Sequence, residues 1–409
     1  MATPALEVRV GGYTLERIVS FSIRFSLTEL ADSFSIQAAD ELPQLIAAAR
    51  VEIRIQGRVV LVGNVQNVRQ ESRANVDDLS ISGFSAAQQL VKSSVIQPRK
   101  NFRNLNLAQV VVLVTQPFDI VVDVAPAARE AAGEDFASLK VDDGEKAYAF
   151  LAKACKRQGC ILVSGAASVS PDRAAKASVT IARLASRTAP IIVEHETGRV
   201  TAFGIERDYG NVHSEVIVNR KGGGQTEGDT GAGADLVGRE GRATDNRVPY
   251  SPLIVKAEKG GSSEAAMKRQ AEWEARKRAA ESERVSVEVD GWSPRPSAQD
   301  PDPLWWPNTL YRVKSSRYGY DETLVLASVE LTRDGDGDRA RLEFHPPDLY
   351  AVLEQPDVTS GAGRRGYRAN KEWLAVHSDT VVAIDSTSDT VDFDESALDL
   401  IFTEPPEGT

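Results

Sequence analysis

Three aspartates late in the chain have the spacing that opens a calcium-binding loop. Asp334, Asp336 and Asp338 alternate with other residues in TRDGDGDRARLE, as the first carboxylates of an EF-hand loop do. The rest of that loop is missing, because Arg339 stands where glycine is needed and Glu343 comes two residues before the position of the bidentate glutamate. The flanking runs ASVELT and ARLEF have strand character. The segment predicts a polar hairpin turn, with an incidental cation as the alternative.

A glycine-rich run at residues 222–233 is a second candidate, this time for phosphate binding. A P-loop ends in Gly-Lys-Ser/Thr at the start of a helix, so that backbone N–H groups and the lysine hold the phosphates. Here Gly231-Ala232-Gly233 is followed by Ala234-Asp235-Leu236, and Glu227 and Asp229 would repel an anion. The run therefore predicts a surface loop.

The histidines and cysteines are scattered and lack the spacing of metal ligands. Cys155 and Cys160 are predicted to be buried, inert thiols. Residues 194–196, Glu-His-Glu, could form an acid/base cluster, but a solvated turn before Gly198 is favoured. No GxSxG elbow, HExxH motif or paired CxxC motif is present. The sequence predicts a protein that is not an enzyme and has no cofactor, although so acidic a chain leaves pairs of catalytic carboxylates open.

Aromatic and aliphatic side chains could instead bury surface against a partner. A proline-rich loop, DGWSPRPSAQDPDPLWWPNTLYRV, carries a tryptophan pair that we expect to be partly buried at the end of a β-barrel, with an interface role or a carbohydrate-stacking surface as alternatives. The acidic segment VDFDESALDLIF near the C-terminus is expected to dock on a neighbouring protein or to fold back on this chain. The partner-contact candidates are Trp305, Trp306, Phe393, Leu398, Leu400, Ile401 and Phe402.

The composition restricts the classes of partner. The 409 residues carry a formal net charge of −11, which opposes general binding of nucleic acid. An uncharged apolar run of about 18 residues, the minimum for a membrane-spanning helix, does not occur. The start MATPALEVRV lacks the basic residues and apolar core of a secretory signal. The sequence predicts neither a membrane span nor stable nucleic-acid binding.

The first structural element is predicted between Ile18 and Ala39. Phe21 and Ile23 begin an alternation of apolar and polar residues, a polar break follows at residues 28–32, and the alternation resumes in SFSIQAAD. Two such runs predict an antiparallel hairpin. Further alternating runs lie at residues 51–55, 59–61, 65–68 and 79–81. The stretch 1–97 is therefore predicted to be a small antiparallel β-barrel.

The pattern becomes mixed α and β over residues 98–200. Asp142, with Glu145 three residues later, has the spacing of a capping box that would open a helix over residues 146–157. Apolar residues on one side of that helix and strand-like runs after it predict a small α+β domain.

A second β-rich region is predicted over residues 201–350, interrupted by the glycine-rich run and by a helix over residues 264–283. Residues 351–409 are predicted to be a linker and an acidic C-terminal arm. The predicted fold class is α+β, mainly β. Two small antiparallel β-barrel modules flank an α+β domain, and an extended C-terminal arm follows.

Three passages occur in a characteristic order. The first is LERIVSFSIRFSLTELADSFSIQAAD, the second is FASLKVDDGEKAYAFLAKACKRQGCILVSG, and the third runs from DGWSPRPSAQDPDPLWWPNTLYRV through the aspartate turn to EFHPPDLY. In residue types, order and spacing they resemble the central hub proteins of contractile phage baseplates, the Mu-like tail protein and late-control family. Relatives of that family are the T-even hub and the N-terminal region of the type VI secretion spike.

The resemblance implies a structural hub that joins the tail tube to a central spike. It implies a homotrimer located in the virion tail baseplate and assembled in the host cytoplasm. The implied partners are a trimeric spike protein, the tail tube or a tube-initiator protein, and other baseplate proteins. Two alternatives stay open: a hub with peptidoglycan hydrolase activity, and a carbohydrate-binding β-protein.

Overall fold

A computed structural model describes most of the chain. The described residues are 6–39, 48–73, 76–96, 101–136, 138–167, 175–219, 240–256, 264–294 and 304–350. The glycine-rich run at 222–233 and the predicted arm at 351–409 lie outside these ranges, so their predictions stay untested.

Seven strands come before the first helix. They are β1 (Leu6–Val10), β2 (Tyr13–Thr14), β3 (Ile18–Ser26), β4 (Ser33–Ala38), β5 (Arg50–Ile55), β6 (Arg58–Arg73) and β7 (Val76–Ser85). The pairing of β3 with β4 is antiparallel, and Phe21 and Ile23 lie on its buried face. The predicted hairpin is confirmed, because the period-two alternation from residue 21 onward places Phe21, Ile23 and Phe25 on one buried face of the sheet.

The middle of the chain mixes short strands with helices. These elements are α1 (Gln88–Lys92), β8 (Asn101–Phe102), β9 (Leu105–Asn106), α2 (Leu107–Thr115), β10 (Val121–Val124), α3 (Arg129–Ala132), β11 (Asp135–Phe136), β12 (Leu139–Lys140), α4 (Ala147–Arg157), β13 (Ile161–Ala167) and β14 (Lys176–Ala182). A sheet in the order β10-β14-β13 packs with α2 and α4 around a core of its own.

The remaining elements return to strands, with one long helix. They are β15 (Arg187–Glu194), β16 (Val200–Arg207), β17 (Glu215–Asn219), β18 (Glu240–Thr244), β19 (Pro252–Lys256), α5 (Glu264–Glu281), β20 (Glu283–Asp290), β21 (Thr309–Ser315), β22 (Tyr320–Asp334) and β23 (Gly337–His345). The helix predicted over residues 264–283 is confirmed as α5. The fold is mainly β with an α+β middle, as predicted.

One sheet of 13 strands runs through both β-rich regions. Its order is β16-β20-β23-β22-β3-β4-β7-β6-β5-β1-β2, and β21 joins β22 to β15. A single hydrophobic core underlies the whole sheet. The pairing of β3 with β22 therefore unites regions that are distant in the chain.

Two groups of six strands in this sheet have the same connectivity. The first β-module comprises β1 and β3–β7, and the second β-module comprises β15, β16 and β20–β23. The six strands of each module are counted in chain order. The first then pairs with the fourth, and the second pairs with the third. The third also pairs with the sixth, and the fifth lies between the fourth and the sixth. One difference is that β1 and β5 are antiparallel whereas β15 and β21 are parallel. The described ladders do not close either module into a barrel.

The predicted capping box at Asp142 and Glu145 is wrong as a helix cap. The helix α4 begins at Ala147, and its N-cap is Lys146, which makes no capping hydrogen bond through its side chain. The Asp142 N–H donates to Glu145 Oε2 at 2.9 Å, and the Glu145 N–H donates to the Asp142 carbonyl at 3.0 Å. These bonds close a separate turn, because Lys146 has an extended backbone that divides the turn from the helix.

A small three-stranded sheet, in the order β18-β17-β19, is inserted between β16 and β20 and packs against α5. Gly241 of β18 lies so close to the α5 backbone at Met267 that a side chain there would clash. Within the described residues, no helix combines the length and apolar character needed to cross a bilayer.

Candidate assembly interface

The two β-modules meet along the antiparallel pairing of β3 with β22. On the outer face, Arg24 lies directly opposite Glu330. Ser22 Oγ donates to Glu330 Oε1 at 3.0 Å, and Arg24 Nε donates to Ser328 Oγ at 3.2 Å. Opposite charges across an antiparallel pair stabilise it modestly. The outer face of this module junction is therefore polar and internally satisfied.

The inner face of the module junction is apolar. Ile23 lies opposite Leu331, and Phe25 lies opposite Val329. All four side chains are buried, at 2% exposure or less. A one-residue slip would turn these residues outward, so the core fixes the register of the two modules.

Trp292 ties the loop after β20 to both modules. Its Nε1 donates to the Thr332 carbonyl of β22 at 2.8 Å, and its ring centroid lies 5.8 Å from that of Phe21 on β3. The guanidinium of Arg333 lies over the ring, 4.6 Å from its centroid, and it is held by two hydrogen bonds to Asp338. A cation over the face of a buried indole adds favourable energy.

Arg199 holds the backbone on both sides of Trp292. Its guanidinium donates to the carbonyls of Asp290 at 3.1 Å, Ser293 at 2.8 Å and Pro294 at 3.0 Å. Three bonds from one planar group fix the backbone of residues 290–294. Trp292 and its neighbours are therefore built into the second β-module.

The predicted tryptophan pair lies within that assembly. Trp305 is buried, its ring centroid lies 5.3 Å from that of Tyr311, and its backbone N–H donates to the Trp292 carbonyl at 3.1 Å. Trp306 is half-buried, with its ring 4.7 Å from that of Phe25. The predicted partial burial is confirmed for Trp306, which keeps part of its ring exposed. It is wrong for Trp305, which is fully buried in the core.

The other predicted contact residues lie outside the described residues and stay predictions. They are Phe393, Leu398, Leu400, Ile401 and Phe402.

The aspartate run forms the turn between β22 and β23, so the predicted hairpin turn is confirmed. The Asp336 N–H donates to Asp334 Oδ1 at 2.9 Å. The Asp338 carboxylate accepts from Arg333 at 2.6 and 2.8 Å. The Asp338 carboxylate, which a bound cation would need as a ligand, is therefore already paired with Arg333. The described residues contain no cluster of three or more potential metal ligands.

Residues 195–198 form a turn after β15, as predicted. The His195 ring stacks on Phe203 at 4.7 Å and on Tyr318 at 5.6 Å, and its Nδ1 lies 2.9 Å from Ser315 Oγ. A hydrogen bond from the Arg317 N–H, followed by smaller contributions, lowers the pKa of the neighbouring Glu196. The group is a packed surface cluster at the end of the second β-module.

A buried carboxyl group lies where the first β-module meets the α+β region. The Asp32 N–H donates to Ser85 Oγ at 3.1 Å, and Ser85 Oγ lies 3.4 Å from Ser164 Oγ of β13. Burial raises the pKa of Asp32 from 3.8 to about 7, and a hydrogen bond from Ser164 offsets only part of that rise. Asp32 therefore titrates near neutral pH inside a contact between two parts of the molecule.

Comparison with protein families gives two matches. Residues 87–167 match the model "Baseplate hub protein gp44-like, second domain", and residues 263–353 match "Mu phage baseplate assembly protein GpP, fourth domain". The chain is also 25% identical over 366 residues to baseplate hub protein gp44 of Escherichia phage Mu, which covers 87% of this chain and 91% of that protein.

The predicted resemblance to baseplate hub proteins is confirmed.

Two solved structures have the same fold as this chain. The 43 kDa tail protein of prophage MuSo2 from Shewanella oneidensis has a TM-score of 0.69 at 21% identity, over 85% of this chain and 99% of that one. The tail protein from Neisseria meningitidis MC58 has a TM-score of 0.65 at 20% identity, over 86% of this chain and 99% of that one.

The two hub-family matches fall on different parts of this architecture. The first runs from just before α1 to the end of β13, and so covers much of the α+β region. The second runs from α5 through β23 and includes Trp292 and the β22 side of the module junction. The first β-module and β16 lie outside both matches.

Sequence reasoning missed two features of this hub-like fold. The Arg24–Glu330 pair joins residues in separate regions, and neither charge is unusual in its local sequence. Asp32 lies at the end of a polar break between two strands, which is typical of a solvated turn. The apolar Leu30 and Ala31 just before it are the one local signal that the turn is covered, and both are buried.

Proposed function

We propose that this chain is a structural baseplate hub of a contractile phage tail. The supporting observation is the resemblance to the Mu baseplate hub protein, which extends over 87% of the chain. The geometry agrees with a scaffold, because the two β-modules share one continuous sheet and one core. Modules joined in this way keep a fixed relative orientation, which a hub between two assemblies needs.

In the finer form of the proposal, three copies form a ring in the virion tail baseplate after assembly in the host cytoplasm. Each β-module completes a barrel in that ring. One side of the ring seats a trimeric spike protein and the other continues into the tail tube or a tube-initiator protein, with other baseplate proteins around it. The net charge of −11 would let DNA pass the lumen without binding to it.

The chain acts in this proposal without catalysis or cofactor. Burial raises the pKa of Asp32 to about 7 and that of the Cys155 thiol to about 12, and both side chains are enclosed. It also raises the pKa of the half-buried Asp123 to about 6. A buried acid and a buried thiol cannot reach a polymeric substrate such as peptidoglycan. Zymography on purified peptidoglycan tests this part, and a lytic band from the full chain would contradict it.

The oligomeric part is tested by mass photometry of the full chain, alone and mixed with the spike protein of the same particle. We expect a trimer, either alone or on addition of the spike. A chain that stays monomeric with the spike present would contradict the hub proposal.

We also propose that Trp306 and the apolar residues of the C-terminal segment contact neighbouring proteins. Deleting residues 356–409 should leave the described fold intact by circular dichroism but weaken baseplate assembly. If the shortened chain failed to fold, the segment would belong to the core of this chain and the proposal would be wrong.

A further inference from the structure

The two β-modules share irregularities of register as well as connectivity. The pairing of β3 with β4 has a bulge at Val19, and the pairing of β16 with β20 has one at Thr201. Aligned by these bulges, residues 18–25 read IVSFSIRF and residues 200–207 read VTAFGIER. Bulges are specific features of a strand, so they set a residue-to-residue equivalence between β3 and β16.

The long strands β6 and β22 are equivalent in the same way. The pairing of β6 with β7 shifts at Gln66, and the pairing of β22 with β23 shifts at Ala327. Residues 67–72 of β6 therefore correspond to residues 328–333 of β22.

The equivalent strands differ in what lies beside them. In the first β-module, the outer edge of β3 is covered by residues 328–333 of β22. In the second, no described strand pairs with the outer edge of β16. Likewise, no described strand pairs with residues 67–72 on the side opposite β7. Each edge that is joined at the module junction thus has an open equivalent elsewhere in the chain.

Burial follows the same division. Ile23 and Val329 are fully buried at the module junction. Their equivalents, Ile205 and Val68, are only half-buried, although they pack against the same core. Apolar residues on an open edge of a sheet favour the addition of another strand.

We propose that the outer edge of β16 pairs in antiparallel orientation with residues 67–72 of β6 in a second copy of this chain. The inference rests on the trimer of the proposed function and names the strands that form its interface. The equivalence sets the register, and it places Glu206 opposite Arg69 of the second copy. At the module junction the corresponding residues are Arg24 and Glu330. The charges are exchanged between the strands, so they are again opposite.

Both charged side chains are accessible for this pairing. The Arg69 side chain is 76% exposed and that of Glu206 is 63% exposed. Each makes an ion pair within its own chain, Arg69 with Glu71 and Glu206 with Arg284. Exposed ion pairs of this kind are weak and can exchange or share partners.

The pairing is heterologous, because the edge of one strand meets the edge of a different strand. Such contacts make a ring when the rotation closes and a filament when it does not. With two modules per chain, three copies would give six module junctions, three within chains and three between them. Repetition of one junction geometry is what makes the ring regular.

Charge reversal tests the register. Glu206→Arg and Arg69→Glu, made singly, place like charges opposite each other at every junction between chains, and we expect each to weaken the trimer by about tenfold or more. The double variant Arg69→Glu/Glu206→Arg should restore it. Asp321→Arg is the matched control, because Asp321 is also an exposed strand carboxylate paired with an arginine of its own chain. It should leave the trimer unchanged in mass photometry or sedimentation.

Cross-linking gives a second, independent measurement. Arg69→Cys/Glu206→Cys should yield disulfide-linked trimers on mild oxidation, whereas Arg24→Cys/Glu330→Cys should cross-link within the chain and leave its mass unchanged. If the wild type is a trimer, but the Arg69→Cys/Glu206→Cys variant forms no cross-link between chains and the two single reversals leave the trimer unchanged, the proposed junction is overturned while the hub function stands. A chain that stays monomeric with its spike would overturn both.

Discussion

The two β-modules have one strand plan and different surroundings. Ile23 on β3 is covered by the second module and is fully buried, whereas its equivalent Ile205 on β16 is only half-buried. The same alternation of residues thus gives a core strand in one module and an open edge in the other. Burial is decided by the neighbouring strand, which the local pattern does not specify.

The modules also divide large and small residues differently. In the first, Phe34 of β4 lies opposite Gly83 of β7. In the second, the equivalent pair is Val285 of β20 opposite Phe344 of β23. The phenylalanine is therefore on the third strand of the first module and on the sixth strand of the second. In each module one phenylalanine fills the core at this pair of positions.

The largest effect is expected from truncating equivalent phenylalanines. Phe21→Ala should lower the free energy of unfolding by about 3–5 kcal/mol, because Phe21 is buried against Trp292. Phe203→Ala should lower it by only about 1–2 kcal/mol in the monomer, since Phe203 is half-buried. Chemical denaturation of both variants measures the difference. Equal losses would show that the two strands are equally covered in solution.

A pH-dependent effect is expected at the contact below the first module. The pKa of Asp32 is raised from 3.8 to about 7, so the folded state holds its proton more tightly than the unfolded chain does. Stability from this group is therefore full below about pH 4, falls as the pH rises to about 7, and stays low above it, a loss of at most about 4 kcal/mol.

Asp32→Asn should remove this loss, because asparagine resembles the protonated acid in shape and in lacking charge. We expect the variant to be more stable than the wild type at pH 8 and similar to it at pH 4, as measured by denaturation at both values. The control is Asp142→Asn, at an exposed carboxylate. A wild type and an Asp32 variant with parallel pH profiles would exclude a buried titrating group at this position.

A smaller loss is expected from enlarging Gly83. A Cβ atom there would lie 2.8 Å from Phe34 Cζ and would also crowd the Asn64 carbonyl across the strands. Gly83→Ala should therefore cost about 1–3 kcal/mol through overpacking. Gly335→Ala is the matched control, because a Cβ there meets no atom within 4 Å. Combining Gly83→Ala with Phe34→Leu should recover part of the loss if the clash with the ring is its cause.

Local features of this fold could be predicted from the sequence, because their causes are local. The hairpin of β3 and β4 follows from period-two alternation around a short break. The turn at residues 334–338 follows from aspartate and glycine between two strands, and α5 follows from a long run of good helix formers.

The module junction could not be predicted from the sequence in the same way. Ser22 and Glu330, which share a hydrogen bond, are 308 residues apart, and nothing near either one specifies the other. The burial of Trp305 could be anticipated only in part, since a proline-rich loop is compatible with both core and surface. The burial of Asp32 could not be predicted either, because its local sequence is that of an exposed turn.

The smallest expected effect comes from neutralising the acid of each charge pair, Glu330 at the module junction and Glu206 at the proposed junction between chains. Glu330 accepts hydrogen bonds from Ser22 at 3.0 Å and from Arg341 at 3.3 Å, and it lies opposite Arg24. Because the side chain is about one-third exposed, water screens part of this interaction, and Glu330→Gln should cost about 0.5–1 kcal/mol.

At the proposed junction between chains the charges are exchanged, and the acid is Glu206, the equivalent of Arg24. Glu206→Gln should cost almost nothing in the monomer, because its pair with Arg284 is exposed. The same substitution should weaken the trimer, since there Glu206 would face Arg69 of the next copy. Denaturation of the monomer and a dilution series of the trimer separate the two effects. If Glu206→Gln lowered monomer stability as much as Glu330→Gln does, the edge of β16 would already be covered within one chain, and the contrast between the two modules would be lost.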